Sequence, residues 1–148
     1  MQECKANIYV VGHKLFGMPT EDELYVPLMV GNKYGDCQST KVSYYKGISY
    51  LCRDCDGDSI SELNPSFNEL TGTYWVWKNA EAQILGICHY RRYFTSPLGK
   101  AKNLLLRTLP SPITYRYIEK QLRKHDVIVH NKTYFKSTNR EQRENIFS

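Results

Sequence analysis

The sequence has no apolar run near the ~18 residues that a membrane span needs. Its first residues also lack the long apolar region of a secretory signal. The expectation is a cytoplasmic protein, with peripheral association at the inner face of the cell membrane as the furthest it goes toward lipid. Cysteines are few and odd in number: Cys4, Cys37, Cys52, Cys55 and Cys88. An odd count without a secretory context argues against a disulfide framework. Cys52-Arg-Asp-Cys55 has zinc-knuckle or redox spacing, but no second C-x-x-C or C-x-x-H pair completes a tetrahedral site. A redox motif would open a helix, whereas Asp56-Gly-Asp58 is turn chemistry. Internal repeats and low-complexity linkers are absent too, so one domain is expected rather than an array.

Positive charge is scarce in the first part of the chain and abundant in the second. Residues 1–88 carry seven Lys/Arg against eleven Asp/Glu, whereas residues 89–148 carry thirteen against four. A basic half favours anions: nucleotide diphosphates, lipid phosphates or nucleic acid. The chain of 148 residues is long enough to bury a core, and its 41% hydrophobic and 24% charged residues are ordinary for a globular protein. Twelve tyrosines are many for this length, and suit aromatic walls around a polar ligand or amphipathic core edges.

In chain order, Asn7–His13 reads as a first buried strand. Gly12 and His13 at its end are either nucleotide contacts or an ordinary turn. Residues 25–30 are extended, and Pro27 demotes them to an edge strand. Residues 31–41 read as a loop and 42–51 as a weak strand. Asp56 and Asp58 are weak candidates for a divalent cation, set against a merely solvated turn. Asn64-Pro65 predicts a helix start, with Asn64 as cap. Phe67, Leu70, Thr71, Tyr74 and Lys78 recur at helical spacing and form the expected inner face. Gly72 allows a close approach to the sheet, and Trp75 and Trp77 cannot share one face. Residues 104–106 read as a short element, 114–124 as an amphipathic helix and 126–130 as a last strand.

The densest chemistry follows Gln83–Cys88, an uncharged run that suits a central parallel strand. It delivers His89-Tyr-Arg-Arg-Tyr-Phe94 to the strand end, where an α/β sheet opens onto its ligand crevice. Arginine forks match diphosphate oxygens, and a histidine donates to them or carries a proton. Strand alternation would put His89 and Arg91 on one side and Tyr90 and Arg92 on the other. One arginine would then pair with a helix carboxylate such as Glu69.

Three segments together resemble a bacterial family of formally unknown function found in capsular and exopolysaccharide clusters. They are Ile8-Tyr-Val-Val-x-His13-Lys14; Gly57–Ser61 with Asn64–Thr71 and Tyr74-Trp-x-Trp-Lys-Asn79; and Gly86-x-Cys-His-Tyr-Arg-Arg-Tyr-Phe94. Its members look like glycosyltransferases that use sugar nucleotides. The resemblance implies an α/β, GT-A-like (Rossmann-like) fold: a mostly parallel sheet flanked by helices. It also implies a nucleotide-diphosphate sugar as donor, a UDP-sugar foremost, and a lipid-linked or oligosaccharide acceptor in surface polysaccharide assembly. Members are usually longer, so the chain is expected to be C-terminally truncated. Residues 1–130 would form the nucleotide-sugar domain and 131–148 a polar, disordered tail.

A GT-A enzyme usually places D-x-D and a divalent metal where this chain has His89-Tyr-Arg-Arg92. The expectation is that cationic side chains replace the metal and no cofactor is required, with Mn²⁺ or Mg²⁺ on Asp56 and Asp58 as the alternative. His89, Arg91, Arg92 and Glu69 are the catalytic candidates; Val11, Gly12, His13, Asn68, Tyr90 and Tyr93 are the donor-binding ones. One rival is a non-catalytic module that binds a nucleotide or a partner protein. Nucleic acid ranks lowest, because the basic residues do not alternate with aromatics.

Overall fold

The computed structural model describes residues 6–14, 16, 18, 23–31, 52–97, 99 and 112–129. The predicted segments at 32–51 and 104–106 and the tail at 131–148 lie outside these residues. The described part is an α/β fold with four parallel strands in the order β3-β2-β1-β4. Strand β1 (Ala6–Gly12) is the first buried strand the sequence predicts, and β2 (Tyr25–Met29) lies beside it. On β2's far side, β3 is only Cys52–Arg53 and pairs with Leu28 and Met29. Strand β4 (Ile84–His89) pairs along β1 on the opposite side.

Two expectations about strand position change. The run at 83–88 does not become a central strand; among the described residues β4 is the end strand, and Leu85 is 44% exposed. Pro27 is buried in a strand with neighbours on both sides, yet its missing N–H costs no ladder bond. Ile8 N–H donates to Leu24 O and Val30 N–H to Gly12 O, so the even-numbered amides of β2 face β1. The odd position of Pro27 faces β3, whose pairing begins only at Leu28. The residue is therefore tolerated where the ladder has not yet started.

After a 3₁₀ turn at Ser61–Leu63 come α1 (Asn64–Phe67) and α2 (Leu70–Asn79). They are separated at Asn68, a non-glycine residue with φ +47°. That break resets the helical phase and overturns the predicted inner face. Of the five residues in the expected stripe only Thr71 is buried, while Phe67 and Leu70 are 48% and 60% exposed. Thr71, Gly72 and Val76 face the sheet instead. Asn64 is not a cap but the first residue of α1. Its amide reaches forward to Asn68 O at 2.7 Å and Thr71 Oγ1 at 3.0 Å. As the spacing required, the tryptophans diverge. Trp75 meets Tyr9 edge-on and donates to Asp56 O, whereas Trp77 is exposed.

The sheet is covered on both faces. Tyr9, Val11, Leu28, Val30 and Val76 form one core layer beneath α2. Ile8, Val10, Leu24, Tyr25, Cys88, Ile113 and Ile118 form the other, beneath α3 (Tyr115–Leu122). The segment 126–129 is not a strand: Val127 and Val129 are exposed and only Ile128 packs on the core. Cys55 is disulfide-bonded, contrary to the expectation from the odd count, while Cys52 and Cys88 are free thiols. The C-x-x-C pair is therefore not itself a bridge.

Helix α2 sits close because Gly72 has no side chain: a Cβ there would lie 2.8 Å from Val30 Cγ1 and 3.3 Å from Leu28 Cδ2. Gly72→Val is expected to destabilise the protein by about 1–3 kcal/mol through overpacking. Leu70→Ala, at the position the periodicity placed inward, should change stability by less than about 0.5 kcal/mol. Urea unfolding midpoints of the two variants check this, and equal losses would refute the inward face described above.

Candidate functional site

All four strands run the same way, so Gly12, Met29, Arg53 and His89 end at one edge of the sheet. Strand order reverses there: the chain proceeds from β1 to β2 to β3, then returns to the other side of β1 as β4. Ligands of open α/β sheets bind at such a reversal, outside the carboxyl ends of the flanking strands. A pocket of about 480 Å³ lies at this point, lined by Val11, Ile87, Cys88 and His89 from β1 and β4, by Arg91 and Arg92 just beyond β4, and by Glu69, Leu70 and Thr73 at the start of α2.

The turn after β4 determines the pocket's charge. Arg92 N–H donates to His89 O at 2.8 Å, closing a tight turn over residues 89–92. This corrects the alternation drawn from the sequence. The strand has ended before Arg91, so both arginines line the same pocket as His89. The predicted pairing of Glu69 with an arginine is also replaced: its Oε1 stands 3.7 Å from His89 Nε2.

Arg91 N–H donates to His89 Nδ1 at 3.2 Å. A protonated Nδ1 could not accept that bond, so the neutral ring carries its proton on Nε2, toward Glu69. Burial lowers the His89 pKa below its ordinary 6.5; Glu69 raises it, and Arg91, Arg92 and His13 lower it further. The 3.7 Å gap to Glu69 exceeds a direct hydrogen bond. The Cys88 thiol is pushed up to about 12 by burial, so it presents no thiolate nucleophile at neutral pH.

Tyr90 turns away from the pocket and acts as its back wall. Its ring lies 4.4 Å from His89, 5.4 Å from Phe16 and 5.9 Å from His13, centre to centre. Arg91 and Lys14 approach its face at 5.0 and 5.9 Å, so the tyrosine quadrupole gathers both of these cations. Lys14 is a member of this group that the sequence reading did not single out. Gly12 is buried, and a Cβ there would meet the Phe16 ring, so packing alone accounts for its glycine.

The structure thus brings His89, Arg91, Arg92, Glu69 and Val11 into one pocket, with His13 and Tyr90 beside it and Asn68 immediately before Glu69. It does not bring Tyr93 there. That residue sits in the core against Tyr25, where burial pushes its phenol up to about 12. Asp56 and Asp58 are also elsewhere. Asp58 accepts from Tyr74 and faces Lys78, and Asp56 O accepts from Trp75. These partners lie five to nine residues along α2 from Glu69, or about 8–14 Å at the helical rise. Among the described residues no group of three or more His, Cys, Asp or Glu is placed to hold a metal ion. No helix among them is long and apolar enough to cross a membrane.

The sequence profile of a family described as a domain of unknown function (DUF4422) matches residues 7–147. The chain belongs to that family. The match takes in both DUF4422 segments that build the pocket, the α1–α2 region and the turn after β4. None of the curated proteins matches the chain. Among solved structures, this DUF4422 chain is similar to the apo structure of WbbM, a bifunctional glycosyltransferase. The identity is 30% and the TM-score 0.44, over 64% of this chain and 16% of that one. The chain thus corresponds to a small part of that protein's length.

The environment of His89 makes a signed prediction. Imidazole titration followed by NMR should place His89 below 6.5, lower still in Glu69→Gln and higher in Arg91→Ala. Because the folded value is depressed, its contribution to stability is complete above the unfolded pKa and is lost as pH falls through the folded value. A wild-type value above 6.5 would refute the neutral Nε2–H assignment.

Proposed function

We propose that the pocket is the donor site of a glycosyltransferase and binds a nucleotide-diphosphate sugar, a UDP-sugar foremost. The observation that carries this reading is the delivery of Arg91, Arg92 and a neutral His89 into one open pocket at the strand-order reversal, opposite Glu69. Arginine forks suit diphosphate oxygens, and their charge would stabilise the leaving diphosphate. The His89 Nε2–H serves as a donor to a phosphate or sugar oxygen. The Glu69 carboxylate accepts from a sugar hydroxyl. In the transfer an acceptor hydroxyl oxygen bonds to the anomeric carbon, the bond from that carbon to the diphosphate oxygen breaks, and its electron pair leaves with the nucleotide. The hydroxyl proton passes to a base, for which no residue is assigned.

The His89–Phe94 and Asn64–Asn79 segments, which resemble those of sugar-nucleotide glycosyltransferases, support the same reading. On this reading the acceptor belongs to a growing surface polysaccharide, lipid-linked or oligosaccharide, and the protein works at the inner face of the membrane. Cationic side chains take the charge that a metal takes in D-x-D enzymes.

The test is a thermal-shift series with UDP and UDP-sugars, with and without Mn²⁺, on wild type and Arg91→Ala/Arg92→Ala. A ligand at ~100 times its dissociation constant should add about 2.7 kcal/mol. We expect a metal-independent shift that the double variant abolishes. A shift that requires Mn²⁺ would overturn the cationic replacement, and no shift with any nucleotide would overturn the donor site.

A further inference from the structure

One side of the pocket depends on a buried carboxylate outside it. Asp54 follows β3 and is 1% exposed. Its Oδ1 accepts from Ser61 Oγ at 2.8 Å and from Gly31 N–H at 3.2 Å, and its Oδ2 accepts from Thr71 Oγ1 at 2.5 Å. One side chain thereby ties the end of β2, the 3₁₀ turn and the first turn of α2 together. Thr71 is 0% exposed, and its oxygen also accepts from Asn64 Nδ2 at 3.0 Å. The same Asn64 amide holds Asn68 O.

Asn68 is the residue so held, with φ +47° and ψ −126°, a conformation that costs a non-glycine residue energy. Such strain persists only where the surroundings over-determine it. The next residue is Glu69, whose carboxylate faces His89. Glu69 is exposed, and among the described residues its carboxylate makes no polar contact shorter than the 3.7 Å approach to His89. Its position is set through the backbone.

We propose that the Asp54–Thr71 hydrogen bond, relayed by Asn64, is a positioning device that fixes the Asn68 kink and so holds the Glu69 carboxylate opposite His89. Asp54 and Thr71 touch no ligand; they act through Glu69. The consequence for donor binding rests on the function proposed above, whereas the placement of Glu69 does not. The rest of the region agrees with a rigid frame. Gly31 has φ +80°, and a Cβ there would lie 2.7 Å from Asn64 Oδ1, so the loop closes tightly around the amide that forms the relay.

The charge-neutral pair Thr71→Val and Thr71→Ser separates this proposal from a general electrostatic effect. Glu69 raises the His89 pKa, and Arg91, Arg92 and His13 oppose it. Displacing Glu69 should therefore lower that pKa. We expect NMR titration of Thr71→Val to lower it in the direction of Glu69→Gln, the double variant Thr71→Val/Glu69→Gln to add nothing further, and Thr71→Ser to restore the wild-type value. Where UDP-sugar binding is measurable, its dissociation constant should weaken several-fold in Thr71→Val and recover in Thr71→Ser. Asn64→Ala removes the relaying amide but leaves the Asp54–Thr71 bond in place, and it should move His89 the same way. It provides the same readout if Thr71→Val does not fold. An unchanged His89 pKa in folded Thr71→Val or Asn64→Ala, or fully additive shifts in the double variant, would overturn the proposal. Absence of UDP-sugar binding in the wild type would count against the donor-site reading, and the His89 titrations would still decide this one.

Discussion

The pairing of β4 along β1 is the constraint on which the site depends. Six successive residues of each strand are in register, from Ala6 opposite Ile84 to Val11 opposite His89. The ladder continues one step into the turn, where Tyr90 N–H donates to Val11 O at 3.0 Å. That bond fixes where the strand ends, and the end of the strand decides where the basic residues go. Had regular strand continued through Arg92, Arg91 and Arg92 would have pointed to opposite faces. The tight turn puts them together, with Tyr90 packed behind.

The opposite wall is built by different means. Helix α2 could approach the sheet only through Thr71, Gly72 and Val76, and this small-residue face leaves Leu70 and Trp77 outside. Close approach brings the buried Asp54 within reach of Thr71, and that contact anchors the start of α2, where Glu69 stands. A strand end and a helix start, each fixed by its own hydrogen bonds, therefore meet across a gap of 3.7 Å. Preorganisation of this kind is what a binding site on a rigid scaffold requires.

Much of this was readable in the sequence, and the failures have physical causes. The β-branched run of Ile8–Val11 and the density of polar groups after Cys88 are local signals, and both gave the right element and the right neighbourhood. Glu69 was linked to the cluster, though to an arginine and not to His89. The inner face of α2 was misread because periodicity assumes an unbroken helix, and Asn68 breaks it with a backbone angle that its side chain does not announce. Asp54 was passed over because Asp54-Cys-Asp-Gly-Asp58 has the composition of a solvated turn. Its burial is visible only once Ser61 and Thr71, distant in sequence, are brought to it. Pro27 misled because a proline excludes a strand only where its own amide would be used.

Charge balance in the pocket follows from the neutrality of His89. With the imidazole uncharged, the lining residues carry two cations and one anion. At an effective dielectric of 20, two unit charges ~4 Å apart interact by roughly 4 kcal/mol, an upper scale for groups this open to solvent. A third cation at His89 would deepen attraction to a diphosphate whether it is attached to a sugar or already free. Such uniform binding tightens substrate and product together and does not accelerate the step between them. A neutral Nε2–H, by contrast, is directional and is held toward Glu69 by the Arg91 amide behind it. On the donor-site reading, the arginines supply attraction and the imidazole supplies geometry. The burial that keeps the ring neutral is what allows the two roles to be separate.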